Sequence, residues 1–136
     1  MKCLVVDPSA TRRRILINTI RDQQPFEFVE AAAVGPALQS VGDGVDLVLT
    51  EWNLPDRSGL ELIRELRART ETAGVPVIMV TARNSRDDVS AAIEAGVTSY
   101  VTRPFSKAIL RSHLIPYLPL DLANETVVTA AAPPTT

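Results

Sequence analysis

The stretch Asp46-Leu47-Val48-Leu49-Thr50-Glu51-Trp52-Asn53-Leu54-Pro55-Asp56-Arg57-Ser58-Gly59 decides how the rest of the chain is read. Its first half is a short run of mostly branched apolar residues with no amphipathic alternation, which suits a strand buried on both faces of a parallel sheet. The run stops at an acidic residue, Glu51, and gives way to Asn53, Pro55, Asp56, Ser58 and Gly59, all turn formers. A buried strand that ends in a carboxylate and a loop is where open α/β sheets place ligands. The role of Glu51 is therefore the central question.

Upstream, residues 2–6 read as a buried strand ending at Asp7, with a Pro8-Ser9 turn and Ser9 as a helix N-cap. Ile15, Leu16, Thr19 and Ile20 recur at helical spacing and predict a helix over 10–23 that Pro25 ends. A second strand is expected over 26–31, with Phe26, Phe28 and Glu30 alternating against Glu27 and Val29. Gly35-Pro36 opens a short helix with Ala37, Leu38 and Val41 inward, and Gly42-Asp43-Gly44 turns the chain into the third strand.

Downstream, a helix over 59–70 carries Leu60, Ile63, Leu66 and Arg67 on one face, and Gly74 closes it. Residues 77–80 form a fourth buried strand ending at Thr81. A helix over 85–95 turns Val89, Ala92 and Ile93 inward, with Gly96 as its C-cap, and the fifth strand spans 97–102. Ser106 caps a last helix with Ile109, Leu110 and Leu114 inward, which Pro116 and Pro119 stop. Residues 120–136 lack periodicity and read as a disordered tail or the start of a linker, leaving one domain over 1–119.

Strand and helix alternate five times, so the expected fold is α/β, a doubly wound five-stranded parallel sheet with right-handed crossovers. In the flavodoxin-like order 2-1-3-4-5, the first and third strands meet at the switch point. Asp7, Glu51, Thr81 and Arg103 then converge on one rim.

The bulk numbers exclude several classes. The chain has 136 residues, 46% of them hydrophobic, which is room for one domain with a proper core. A net charge of −2 gives no basic field for nucleic acid or an anionic membrane. The single cysteine, Cys3, lies in an apolar run and is read as inert packing in a reducing, cytoplasmic setting. No apolar run approaches the ~20 residues of a membrane span. The single histidine, His113, leaves no nucleophile–base pair, and no Gly-rich phosphate cradle follows Asp7 or Glu51, so the chain is not read as an enzyme.

A set of motifs in order adds to this: Leu4-Val5-Val6-Asp7; Asp46-Leu47-Val48-Leu49 before Trp52-Asn53-Leu54-Pro55; Ser58-Gly59-Leu60-Glu61-Leu62; Pro76-Val77-Ile78-Met79-Val80-Thr81-Ala82; and Ala95-Gly96 through Tyr100 to Arg103-Pro104-Phe105. With them the chain resembles the CheY-like receiver domains of two-component response regulators, from Lys2 to about Leu118. The resemblance implies an aspartate at the third strand end that accepts phosphate from a histidine kinase. It also implies two acids after the first strand that help hold Mg²⁺, and a Thr or Ser and a Lys that bind phosphoryl oxygens. This chain keeps Asp7 and Thr81, but Pro8 stands at the second acid, Glu51 at the acceptor and Arg103 at the lysine. The resemblance places Ala82 beside Thr81, makes Tyr100 the switch aromatic on the surface of the fifth strand, and implies a cis peptide before Pro104.

The departures have physical consequences. Glu51 reaches roughly 1.5 Å further than aspartate, and ~1 Å of misplacement can cost about a hundredfold in phosphoryl transfer. Pro8 removes a carboxylate, so Mg²⁺ at Asp7, Glu51 and Asn53 should bind weakly. Arg103 offers a planar fork suited to a carboxylate. The leading expectation is a pseudo-receiver: a signalling module that binds a protein partner without being phosphorylated. The partner face is the last helix-strand-helix surface, residues 85–117, with Arg86, Ser90, Tyr100 and Thr102. A homodimer mate, a histidine kinase or a linked output domain would fit it. The alternatives are residual Mg²⁺-dependent phosphoryl acceptance and a small flavodoxin-like ligand-binding protein. Duller roles also stand: a solvated strand end for Glu51, a helix cap for Asp7, a strand stop for Thr81. Trp52 is expected to be a partly exposed loop ring, Arg12-Arg13-Arg14 a solvated helix face, and His113 no ligand.

Overall fold

The computed structural model describes residues 1–21 and 26–118. The expectations for Pro25 and the end of the first helix, for Pro119 and for the tail 120–136 lie outside those residues. Among the described residues, five strands and five α-helices alternate: β1 (Lys2–Val6), α1 (Ala10–Ile20), β2 (Glu27–Ala31), α2 (Val34–Ser40), β3 (Leu47–Thr50), α3 (Gly59–Ala68), β4 (Val77–Thr81), α4 (Arg86–Ala95), β5 (Ser99–Thr102) and α5 (Lys107–Leu114). The strands form one parallel sheet in the order β2-β1-β3-β4-β5. That is the doubly wound, flavodoxin-like arrangement expected from the alternation.

The three central strands are buried on both faces, and their period of two divides the core. Leu4, Val6, Val48, Val77 and Met79 face α2, α3 and α4. Cys3, Val5, Leu47, Leu49, Ile78 and Val80 face α1 and α5. Continuous apolar sequence is thus shared between two cores. In register, Val6 pairs with Thr50, and the next residues, Asp7 and Glu51, leave the sheet side by side.

Three helical positions differ from expectation. Ile15, Ile93 and Ile109 are 49%, 64% and 50% exposed, while their neighbours Leu16, Ala92 and Leu110 are buried. One residue is about 100° of helix rotation. In each case the shorter or better-placed neighbour takes the inward position and the isoleucine sits on the flank. Trp52 is also corrected: its ring is buried in the core under α3 rather than half-exposed in a loop. Arg67, on the same helical spacing as Leu60, Ile63 and Leu66, reaches the lower rim of the sheet, donating to the carbonyls of Gly96 (2.9 Å) and Val75 (2.7 Å) and to the Thr98 hydroxyl (3.1 Å).

The loop after β3 is fixed by local chemistry. Ser58 caps α3, its hydroxyl accepting from the Glu61 N–H, and the Glu61 carboxylate accepts in return from the Ser58 N–H. Gly59 folds back on the strand end, its N–H donating to the Trp52 carbonyl at 2.7 Å. A Cβ there would lie 2.4 Å from the Glu51 carbonyl oxygen and 3.0 Å from the Trp52 Cα. Gly59→Ala should therefore lose about 1–3 kcal/mol of stability in urea unfolding, as overpacking does, although alanine is the better helix former. Gly74→Ala, where a Cβ meets nothing within 4 Å, should stay within about 0.5 kcal/mol of the parent. Equal effects at the two sites would remove the close approach as the reason for Gly59.

Candidate functional site

Four strand ends build the rim. Glu51 follows β3 and is 2% exposed, yet its carboxylate has no lack of donors. Oε2 accepts from the Trp52 N–H at 2.7 Å, the Asn53 N–H at 3.0 Å and the Thr81 hydroxyl at 2.5 Å. Oε1 accepts from Nη2 of Arg103, which also forms an ion pair with it. The extra methylene lets the carboxylate curl onto its own loop N–H groups. Burial is the largest single influence on Glu51 and alone would raise its pKa. The hydrogen bonds from Thr81, Asn53, Arg103 and Trp52 together outweigh it and hold the carboxyl below its ordinary value.

Asp7, also 2% exposed, is occupied from another direction. Its carboxylate accepts from the Ser9 N–H at 2.8 Å and from Nε of Arg12 at 2.9 and 3.1 Å, and Nη2 of Arg12 lies 2.8 Å away. Arg13 donates to the Asp7 carbonyl at 2.6 Å and to Glu30 at 2.7 Å. The arginine run is therefore a correction: two of its three members hold the site rather than lie solvated. They tolerate the positive end of α1 because Asp7 offsets it. Ser9 caps the helix, as expected, its hydroxyl accepting from the Arg12 N–H at 3.1 Å.

The fold family implies Mg²⁺ at this rim, and the donor set does not fit it. Mg²⁺ requires near-ideal octahedral oxygens with one or two carboxylates free to bind. Here Asp7 is closed by Arg12, Glu51 is closed by Thr81 and Arg103, and Pro8 offers no side-chain oxygen. Asn53 Oδ1 accepts from Nε of Arg83 at 3.2 Å. Among the described residues no group of three or more His, Cys, Asp or Glu is placed to hold an ion.

Arg83 joins the site to the face formed by α4, β5 and α5. Its guanidinium lies 4.6 Å from the Trp52 ring centroid and 3.4 Å from Asp88, and its N–H donates to the Thr81 hydroxyl at 3.3 Å. Its carbonyl accepts from the Tyr100 hydroxyl at 2.7 Å. Tyr100 is half-buried against the core rather than lying free on β5. Arg86 and Ser90 are exposed, Thr102 is half-buried, and Ala82 is exposed beside Thr81. The Arg103–Pro104 peptide is cis, as expected. His113 pairs with the Ser99 hydroxyl at 2.5 Å, well away from the rim.

Asp7, Glu51, Thr81 and Arg103 thus share one rim, where Asp7 is held by Arg12 and Glu51 by Thr81 and Arg103. Sequence reasoning missed Arg12 and Arg83. Arg12 carried a signal: a cation in the first turn of a helix, one turn after a strand-end acid. Arg83 carried none, because Asn53, the acceptor that ties it to the β3 loop, lies 30 residues away in sequence.

The family model of the response regulator receiver domain matches residues 3–115. A chemotaxis protein CheY homolog of Campylobacter jejuni is 37% identical over 116 residues, covering 84% of this chain and 89% of that protein. A putative response regulator from Chloroflexus aurantiacus superposes with a TM-score of 0.80 at 27% identity, covering 90% of this chain and 97% of that one. The receiver domain of a Pseudomonas aeruginosa sensor histidine kinase, which has a magnesium ion coordinated in its active-site cleft, superposes with a TM-score of 0.76 at 25% identity over 85% of this chain and 95% of its own. Sequence, topology and the rim of strand-end residues agree: the chain belongs to the response regulator receiver domains of two-component signal transduction.

Proposed function

We propose that this receiver acts as a phosphorylation-independent interaction module over residues 1–119, a pseudo-receiver. The observation that carries the reading is the closure of Glu51: Thr81 and Arg103, which stand where the resemblance puts the groups that bind phosphoryl oxygens, already donate to its carboxylate. A buried anion in their grasp supports the idea that Glu51 stands in for a phosphorylated acceptor. Thr81 and Tyr100 are then set by sequence, through Arg83, and the partner engages the face with Arg86, Ser90, Tyr100 and Thr102. A protein partner, as a separate chain or a linked output domain, is the occupant of that face.

The direct test is intact-protein mass after incubation with acetyl phosphate and Mg²⁺. The parent should gain no phosphoryl group, and Glu51→Asp alone should gain little, since Pro8 still withholds an acid and Arg12 still holds Asp7. Pro8→Asp combined with Glu51→Asp should label appreciably where either single change does not, a non-additive pair of neighbours. Robust labelling of the parent would sink the reading. Labelling of Glu51→Asp alone would remove only the argument about Pro8 and Arg12.

The charge on Glu51 has its own test. A carboxyl held below its ordinary pKa in the fold stabilises the protein above its unfolded value of about 4.3, and this is lost as pH falls through the folded value. Glu51→Gln should thus be less stable than the parent by about 1–3 kcal/mol at pH 7. The gap should narrow as the pH drops below about 4.3, read by urea unfolding at each pH. A gap that ignores pH would mean that Glu51 is not an anion in the fold.

A further inference from the structure

A cavity of about 530 Å³ opens beside the rim, between α1 and the loop that joins β5 to α5. Its walls are apolar: Ile15 and Leu16 from α1, Val80 from β4, and Phe105. Its polar end is made by Asp7, Arg12 and Arg103. The volume falls within the ~300–1,000 Å³ of small-molecule sites, which combine an apolar lining with a few placed polar groups.

The hydrogen-bond ledger at that end is unequal. Asp7 accepts from Ser9 and Arg12, and Glu51 behind it accepts from four donors, so both carboxylates are satisfied. The arginines are not. A guanidinium carries five N–H donors; Arg12 commits Nε and Nη2 to Asp7 and Arg103 commits Nη2 to Glu51, which leaves Nη1 of each without a hydrogen-bond partner among the described residues. Both guanidinium groups line the cavity, and an anionic oxygen is the strongest partner for such a donor.

From this geometry we propose that the cavity binds a small amphipathic carboxylate, its ring or acyl body on Ile15, Leu16, Val80 and Phe105 and its anionic oxygen on the Arg103 end. The site goes beyond the phosphorylation-independent reading and does not depend on it. Ile15, unexplained by the core, gains a role as the exposed lip of the cavity.

The test uses the full chain and 2-naphthoate as the probe, followed by calorimetry and by amide chemical shifts. Saturable one-to-one binding is expected, with 2-naphthamide, its uncharged counterpart, at least tenfold weaker. Ile15→Glu places a carboxylate at the lip and should abolish binding without lowering the melting temperature. Arg103→Lys keeps a cation for Glu51 but removes the guanidinium fork at the cavity end, and should weaken 2-naphthoate severalfold while leaving 2-naphthamide unchanged. Absence of saturation, equal affinity for the acid and the amide, or unchanged affinity in Ile15→Glu would each overturn the proposal.

Discussion

A carboxylate removed from water must be met by donors on nearly every side, or the fold loses several kcal/mol to its desolvation. Glu51 imposes that constraint on this protein. Its donors come from its own loop, from the end of β4 and from the residue after β5. Three chain segments far apart in sequence must therefore be held in one register, and the parallel sheet is what holds them. The tight return of the chain at Gly59, against the Glu51 carbonyl itself, follows from the same need. The loop N–H groups can only converge on the carboxylate if the loop doubles back at once.

The second acid answers the same problem by a different route. Asp7 leaves β1 in register beside Glu51, and two bare carboxylates there would repel each other. A metal ion is one way to settle such a pair, and paired arginines are another. Here each acid has its own guanidinium, Arg12 for Asp7 and Arg103 for Glu51. Charge is balanced within the chain, with rigid forks in place of an exchangeable ion. An ion can leave and admit a substrate oxygen. A covalently attached guanidinium competes permanently for the same lone pairs, which is why the site reads as closed.

The sheet and the placement of the rim were legible because they rest on coarse signals. Uninterrupted apolar runs at Leu47-Val48-Leu49 and Val77-Ile78-Met79-Val80 permit little else than central parallel strands, and topology then brings their ends together. The helix faces were less legible. The inward sets named Ala92 with Ile93 and Leu110 with Ile109, but close approach to a sheet admits only one of each adjacent pair, and Ala92 and Leu110 take the buried positions. Trp52 was misread because its neighbours are turn formers, whereas its ring packs in the core cluster that includes Leu60, Ile63 and Leu66 of α3. The partner of Asn53 was hidden for a simpler reason. A long arginine can reach any of several acceptors, and the sequence does not say which.

That ambiguity is resolved in a way that bears on signalling. Arg83 is exposed, yet it touches Trp52, Asn53, Thr81 and Asp88 with its side chain or N–H, while its carbonyl takes the Tyr100 hydroxyl. The Tyr100 hydroxyl is thereby tied to the β4–α4 loop. Coupling between a site and a distant face requires an element that both can bias, and this loop is placed to be it. On the proposed reading the loop is biased permanently from the Glu51 side, so information must enter elsewhere. Arg103 is the group shared by the closed acceptor and the neighbouring cavity. A ligand that draws on Arg103 would loosen its hold on Glu51, and through Thr81 and Arg83 that change would arrive at Tyr100 without any phosphoryl group.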